Sequence, residues 1–164
     1  MTDFVEVKTD IDDDTLKGRF LTFLIGKETY GIEIRFVKEI VGIQSITEMP
    51  EMPDYMKGII NLRGIIIPVM DVRLRFSMNQ KSYDDRTCVI VVDFVGILIG
   101  LIVDSVSDVI NLDQANIVEL PHNSIGLSNK YVKSIGKIES NVLLLLDCER
   151  LFSAAELQDL TDTL

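Results

Sequence analysis

A pattern that occurs twice is the strongest constraint on this chain. Tyr30-Gly31-Ile32-Glu33-Ile34, leading to Val37-Lys38-Glu39-Ile40, lines up with Ile99-Gly100-Leu101-Ile102-Val103, leading to Val106-Ser107-Asp108-Val109. Further on, Ile66-Ile67-Pro68-Val69-Met70-Asp71 lines up with Val142-Leu143-Leu144-Leu145-Leu146-Asp147. Each of these runs is apolar and strand-like and ends in Asp, and Phe76 and Phe152 follow at the same distance. Two related β units are therefore expected, offering surfaces and a seam between them. Neither copy contains a catalytic constellation.

The apolar content, 47% of 164 residues, is enough for a sizeable core in one domain or two small subdomains. A net charge of −10 opposes binding to nucleic acid or to an anionic membrane, which needs clustered Lys and Arg, so proteins are the expected partners. Cys88 and Cys148 sit in apolar segments without CxxC or Cys-His spacing and read as reduced core residues, which suits the cytoplasm. The N-terminus has no positive start or apolar run of a signal peptide. Residues 1–18, with Asp10, Asp12, Asp13 and Asp14, read as a flexible acidic tail.

Alternation and turn residues predict strands over 19–25, 29–34 and 37–42. Pro50 and Pro53 hold the next stretch extended, and Asp54 is a candidate cap for one helical turn through Lys57. Strands over 58–62 and 65–70 follow, turning at Arg63-Gly64; Pro68 suggests an edge or a bulge because it cannot donate to a ladder. The apolar run 89–103 is too short for a helical membrane span, and Val95-Gly96 divides it into a buried hairpin over 87–94 and 97–103. Residues 111–128, including Pro121 and His122, are the least regular. A final hairpin over 131–138 and 142–146 turns at Glu139-Ser140-Asn141, and Ser153 with Glu156 forms a capping box for a C-terminal helix over 153–164. Nine or ten short strands with little helix imply an all-β protein built of small barrels.

The run Gly58-Ile59-Ile60-Asn61-Leu62-Arg63-Gly64, followed by Pro68-Val69-Met70-Asp71-Val72-Arg73 and Phe76, closely resembles the signature of the CheW family of bacterial chemotaxis coupling proteins. Tyr30-Gly31-Ile32, Val37-Lys38-Glu39-Ile40 and the run Gly100 to Val109 resemble it too, so the similarity covers nearly everything from Arg19 to Phe152. The resemblance implies an all-β fold of two five-stranded SH3-like barrels over residues 19–152. Their boundary is expected near 80–87, and strands are open to exchange between the barrels. It also implies a cytoplasmic adaptor without catalytic activity or cofactors, monomeric when free and recruited to membrane-associated receptor arrays. Its partners would be the regulatory domain of the histidine kinase CheA and the cytoplasmic tip of chemoreceptors.

By the same resemblance the receptor face includes Ile34, Val37, Glu39, Arg63, Cys88 and Val109, set in a groove between the barrels that suits a helical hairpin. Arg63 would pair with Glu39 or reach a receptor carboxylate through its fork, and reversing its charge is expected to weaken receptor binding with the fold intact. Ile46 and Lys57 are candidates for the kinase face. Periodicity alone makes Val37 and Val109 core residues, Glu39 a solvated strand residue and Arg63 a polar turn residue.

Two other roles compete with coupling. The same fold would serve another kinase pathway, such as one controlling surface motility. The best enzyme fragment, Asp104-Ser105-Val106, matches an aspartic-protease turn only to its second residue, and His122 has no triad partner. No phosphate loop or metal-ligand spacing occurs.

Overall fold

The computed structural model describes residues 5–6, 16–120 and 130–152. The expected C-terminal helix, its capping box and His122 lie outside the described residues. Within them the chain is all-β: β1 (Val5–Glu6), β2 (Arg19–Ile25), β3 (Glu28–Glu33), β4 (Val37–Gly42), β5 (Met56–Leu62), β6 (Ile65–Asp71), β7 (Cys88–Phe94), β8 (Ile97–Val103), β9 (Ser105–Asn111), β10 (Ile117–Glu119), β11 (Val132–Ile138) and β12 (Asn141–Leu146). Two four-residue helices, α1 (Val72–Arg75) and α2 (Cys148–Leu151), follow β6 and β12.

The strands form two six-stranded sheets. The first runs β1-β4-β7-β8-β6-β5 and the second β10-β11-β12-β3-β2-β9. Each sheet has one strand more than expected. In the first, Val5–Glu6 from the acidic N-terminal segment pairs with Ile40 and Glu39 of β4. In the second, β10 arises from the stretch that looked least regular and pairs with β11.

The hairpins are traded between the two halves of the chain: β2–β3 lies in the sheet of β9–β12, and β7–β8 in the sheet of β4–β6. Parallel contacts mark the places where the trade is made. Tyr30 and Gly31 pair with Leu144 and Leu145, and Gly100 and Leu101 pair with Val69 and Met70. The repeated glycine is needed for this close approach. A Cβ on Gly31 would lie 2.9 Å from the Leu145 side chain, and one on Gly100 would lie 2.8 Å from the Val69 side chain.

The repeated Asp caps the helix that ends each half. The Asp71 carboxylate accepts from the Leu74 N–H and that of Asp147 from the Glu149 N–H. The Asp71 and Asp147 N–H groups donate to the carbonyls of Tyr55 and Tyr131, each 2.8 Å away. The repeated Phe then crosses to the other half's sheet. Phe76 packs between Tyr30 and Tyr131, with ring centroids 5.3 and 5.5 Å away, and Phe152 packs on Phe94 at 5.5 Å. One apolar cluster consequently runs through both sheets, from Phe23, Ile32 and Leu146 to Ile90, Ile99 and Leu101.

Two local expectations are corrected. Met56 and Lys57 belong to β5, so Asp54 starts no helical turn there. Pro68 is not on an edge, because β6 sits between β5 and β8, although the alternative of a bulge has a counterpart nearby, where the β5–β6 register shifts between Met56 and Gly58. Its partner Ile59 turns both backbone groups to Thr47, with N–H to O distances of 2.9 Å each way, so the Ile59–Pro68 pair needs no donor from Pro68. Pairing with β8 begins only at Val69.

Candidate protein-binding site

The tip of the β5–β6 hairpin carries the most developed charged contact among the expected receptor residues. Arg63 and Gly64 have φ of +53° and +87°, the left-handed conformations that a two-residue hairpin turn requires, and Asn61 Oδ1 accepts from the Gly64 N–H at 2.8 Å. The turn aims Arg63 at β4, where Nη2 lies 2.6 and 2.8 Å from the two carboxylate oxygens of Glu39. The pair is asymmetric, with the Arg63 side chain 59% exposed and that of Glu39 only 8%. A buried carboxylate thus holds an exposed guanidinium in place. Ile65 and Ile66, just beyond the turn, are both exposed.

The other expected receptor residues divide. Ile34 and Val37 are buried in the core cluster. Buried side chains offer no surface to a partner, so the expectation of direct contact is not met by Ile34 and Val37. Cys88 is half-buried at the start of β7, opposite Gly42 of β4, and its thiol donates to the Arg86 carbonyl at 3.3 Å. Val109 is 53% exposed, on β9 of the second sheet. Glu39 and Arg63 are in contact, Cys88 shares their sheet, and Val109 stands on the other sheet. Of the proposed kinase residues, Ile46 packs against the smaller cluster of Val41, Ile60 and Leu62, and Lys57 is half-buried on β5. The cleft lined by Tyr30, Arg75, Phe76, Met78, Lys130 and Tyr131 contains none of these residues.

Two features the sequence reading missed shape this face. Both strands that enter a sheet after a crossover are irregular at matching places: β4 between Val37 and Glu39, and β9 opposite Leu21 and Phe23. On β9 the hydroxyl of buried Thr22 donates to the Asp108 carbonyl and accepts from the Asp108 N–H, both at 3.0 Å. Thr22 therefore satisfies the groups that the irregularity leaves unpaired and fixes the exit of Val109. A Thr in an otherwise apolar buried strand was the available signal. The second feature is Asp104, the carboxylate of the supposed protease fragment, which is ion-paired with Arg73 at 2.6 Å.

Among the described residues no three His, Cys, Asp or Glu side chains are grouped as a metal site. Burial, reinforced by Glu33, pushes the Cys148 thiol up to about 12, which keeps it protonated near neutral pH.

The model of the CheW-like domain matches residues 19–156. The chain belongs to the CheW family. It is 39% identical to the chemotaxis protein CheW of Klebsiella aerogenes over 144 residues, covering 88% of this chain and 87% of that protein. To the chemotaxis protein CheW of Treponema pallidum it is 31% identical, with the same coverage of each chain. The crystal structure of the scaffolding protein CheW from Thermoanaerobacter tengcongensis superposes with a TM-score of 0.76 at 34% identity, covering 85% of this chain and 94% of that one. This CheW-family protein is a chemotaxis scaffold, and its Asp-capped, hairpin-trading sheets are the frame on which the Glu39–Arg63 contact is displayed.

Proposed function

We propose that this CheW-family protein acts without catalysis, as an adaptor that holds the regulatory domain of the histidine kinase CheA and the cytoplasmic tip of a chemoreceptor at the same time. The observation that carries the reading is the exposed Arg63 guanidinium, pinned by buried Glu39 and followed by exposed Ile65 and Ile66. A fixed cation beside aliphatic surface suits an amphipathic helix with carboxylates along its rim. Glu39, Arg63, Cys88 and Val109 form the proposed receptor face, with Ile34 and Val37 as its support; Ile46 and Lys57 are proposed for the kinase face. No helix among the described residues is long and apolar enough to cross a membrane, and we place the protein in the cytoplasm, drawn to receptor arrays through these contacts. Weak single contacts suffice there, because assembly raises the effective concentration of each later one.

The pairing changes how Arg63 must be tested. Arg63→Glu would set two carboxylates together with one of them buried, so the charge reversal perturbs the fold as well as the surface. Arg63→Lys keeps a counter-charge for Glu39 but loses the planar fork. In an NMR titration with a receptor-tip hairpin, shifts at Glu39, Arg63 and Val109 that are weakened in Arg63→Lys are expected. Equal affinities of the folded variant and the wild type would contradict the role of Arg63, and binding to neither the hairpin nor the CheA regulatory domain would contradict the adaptor reading.

A further inference from the structure

The chain passes from the first sheet to the second between Val103, which ends β8, and Ser105, which begins β9, so Asp104 is the single residue between them. It is held from both sides. Its N–H donates to the Leu24 carbonyl of β2 in the second sheet at 3.1 Å. Its carboxylate accepts from Arg73 Nε at 2.8 Å and Nη2 at 2.6 Å, and from the Gly26 N–H at 2.8 Å. Arg73 belongs to α1 at the end of the first sheet's β6, whereas Gly26 lies in the β2–β3 turn of the second. Arg73 also donates from Nη1 to the Asn79 carbonyl at 3.4 Å. Both partners are largely shielded, with side chains 17% and 14% exposed, in the two-pronged geometry that fixes direction as well as distance.

Among the described residues, the reverse crossover, Ile34–Phe36 between β3 and β4, has no two-pronged ion pair that joins the two sheets. Arg35 is 51% exposed and pairs with Glu33, two residues before it; Glu33 also pairs with Lys133 of its own sheet, and Phe36 packs on Phe94. A directional tie between α1, the crossover and the far turn therefore exists on the side that leads into β9.

We propose that Arg73 and Asp104 are positioning residues of the receptor face: their two-pronged pair, anchored on the Gly26 amide, fixes where the chain leaves β8 and enters β9 in the second sheet, and so sets Val109 relative to Glu39 and Arg63. This rests on the adaptor reading, because a partner that touches both sheets needs them held in register. Neither residue touches the partner. Breaking the pair therefore weakens receptor binding through the placement of β9 and leaves the kinase contact on β5 unaffected.

The test uses the full chain as wild type, Asp104→Asn, Arg73→Lys and Asp147→Ala. Asp147 caps α2 and faces Arg150, apart from the contacts of Arg73, Asp104 and Gly26, and its variant controls for general loss of stability. Calorimetric titrations with a receptor-tip hairpin and with the CheA regulatory domain are run beside amide hydrogen exchange. Asp104→Asn is expected to speed exchange at Gly26 and over Ser105–Val109 by tenfold or more and to weaken hairpin binding about fivefold, with kinase affinity within twofold. Arg73→Lys, which keeps the charge but not the fork, should fall between it and the wild type. Unchanged exchange at these amides in both variants overturns the proposal, as does an equal loss of hairpin binding in Asp147→Ala. Wild type that binds neither partner contradicts the adaptor reading instead, and the exchange data then decide whether the clamp orders β9.

Discussion

The ends of the two halves of this protein are built alike and surrounded differently. Tyr55, Asp71 and Phe76 recur as Tyr131, Asp147 and Phe152, with the same backbone bond from Asp to Tyr, an Asp cap in each case and a Phe that docks on an aromatic ring across the seam. Yet Asp71 is 2% exposed and also accepts from the Tyr83 hydroxyl, whereas the Asp147 side chain is 23% exposed and faces Arg150 at 3.5 Å. What the repeat keeps is what fixes the backbone; what it varies is the charge and exposure of the groups around that frame. The hairpin tips vary in the same way: Arg63 stands at one and Glu139 at the other, opposite charges on the same backbone conformation, both with φ of +53°.

The largest expected effect concerns the traded hairpins. Cutting the chain in the 77–86 connection and expressing the pieces separately should abolish folding, because each sheet takes strands from both pieces. Circular dichroism should show disordered fragments that regain strand signal when mixed. A half that melts cooperatively by itself would break the comparison.

Next in size is the difference between the two caps. Asp71→Ala removes a cap and leaves the half-buried Tyr83 hydroxyl without its acceptor, a loss of about 2–4 kcal/mol, whereas Asp147→Ala removes a more exposed cap worth about 1 kcal/mol. Urea denaturation checks the order, and equal losses would show that the shared frame outweighs its surroundings.

Acid should act through the clamped crossover. Burial pushes the Asp104 carboxyl up, but the hydrogen bonds from Arg73 and the Gly26 amide outweigh it and leave the group below its ordinary range; the Asp104 hydrogen bond, against burial, raises Arg73. A carboxyl depressed by folding stabilises fully above its unfolded value, about 4, and that contribution is lost as pH falls through the lower folded value. Asp104→Asn should therefore flatten the fall in stability below about pH 4, measured by thermal melts across pH. An unchanged slope would remove the pair from the account.

Smallest in stability is Val109→Ala, expected within about 0.5 kcal/mol because the side chain is already exposed, against about 2 kcal/mol for buried Val37→Ala. Receptor binding should reverse the sensitivity, with Val109→Ala weakening it several-fold through lost contact.

Much of the frame was legible in the sequence. Strands β4 and β8 have the expected limits, and the turns at Arg63-Gly64 and Val95-Gly96 stand where glycine follows a polar or isolated residue between apolar runs. These are local properties, set by alternation and by φ. What joins Gly31 to Leu145 or Gly100 to Val69 is the packing of segments distant in sequence, and alternation carries no information about which sheet a hairpin enters. The interior position of Pro68 was not legible for the same reason: its tolerance depends on Ile59 being bonded to Thr47. At the site, the resemblance pointed to Glu39 and Arg63, but burial of the carboxylate was not legible, since alternation ranks a Glu as solvated. Val37 was the opposite case, and periodicity described it better. Thr22, Arg73 and Asp104 act through partners from 31 to 86 residues away, so nothing in their immediate neighbourhood marked them.

Coupling requires both partners on one molecule at once, and sedimentation velocity on a mixture of this protein, the CheA regulatory domain and a receptor-tip hairpin measures that directly. A ternary species heavier than either binary complex is expected, reduced by Arg63→Lys at the receptor step alone. Displacement of the hairpin by the kinase domain, with only binary complexes present, would contradict it.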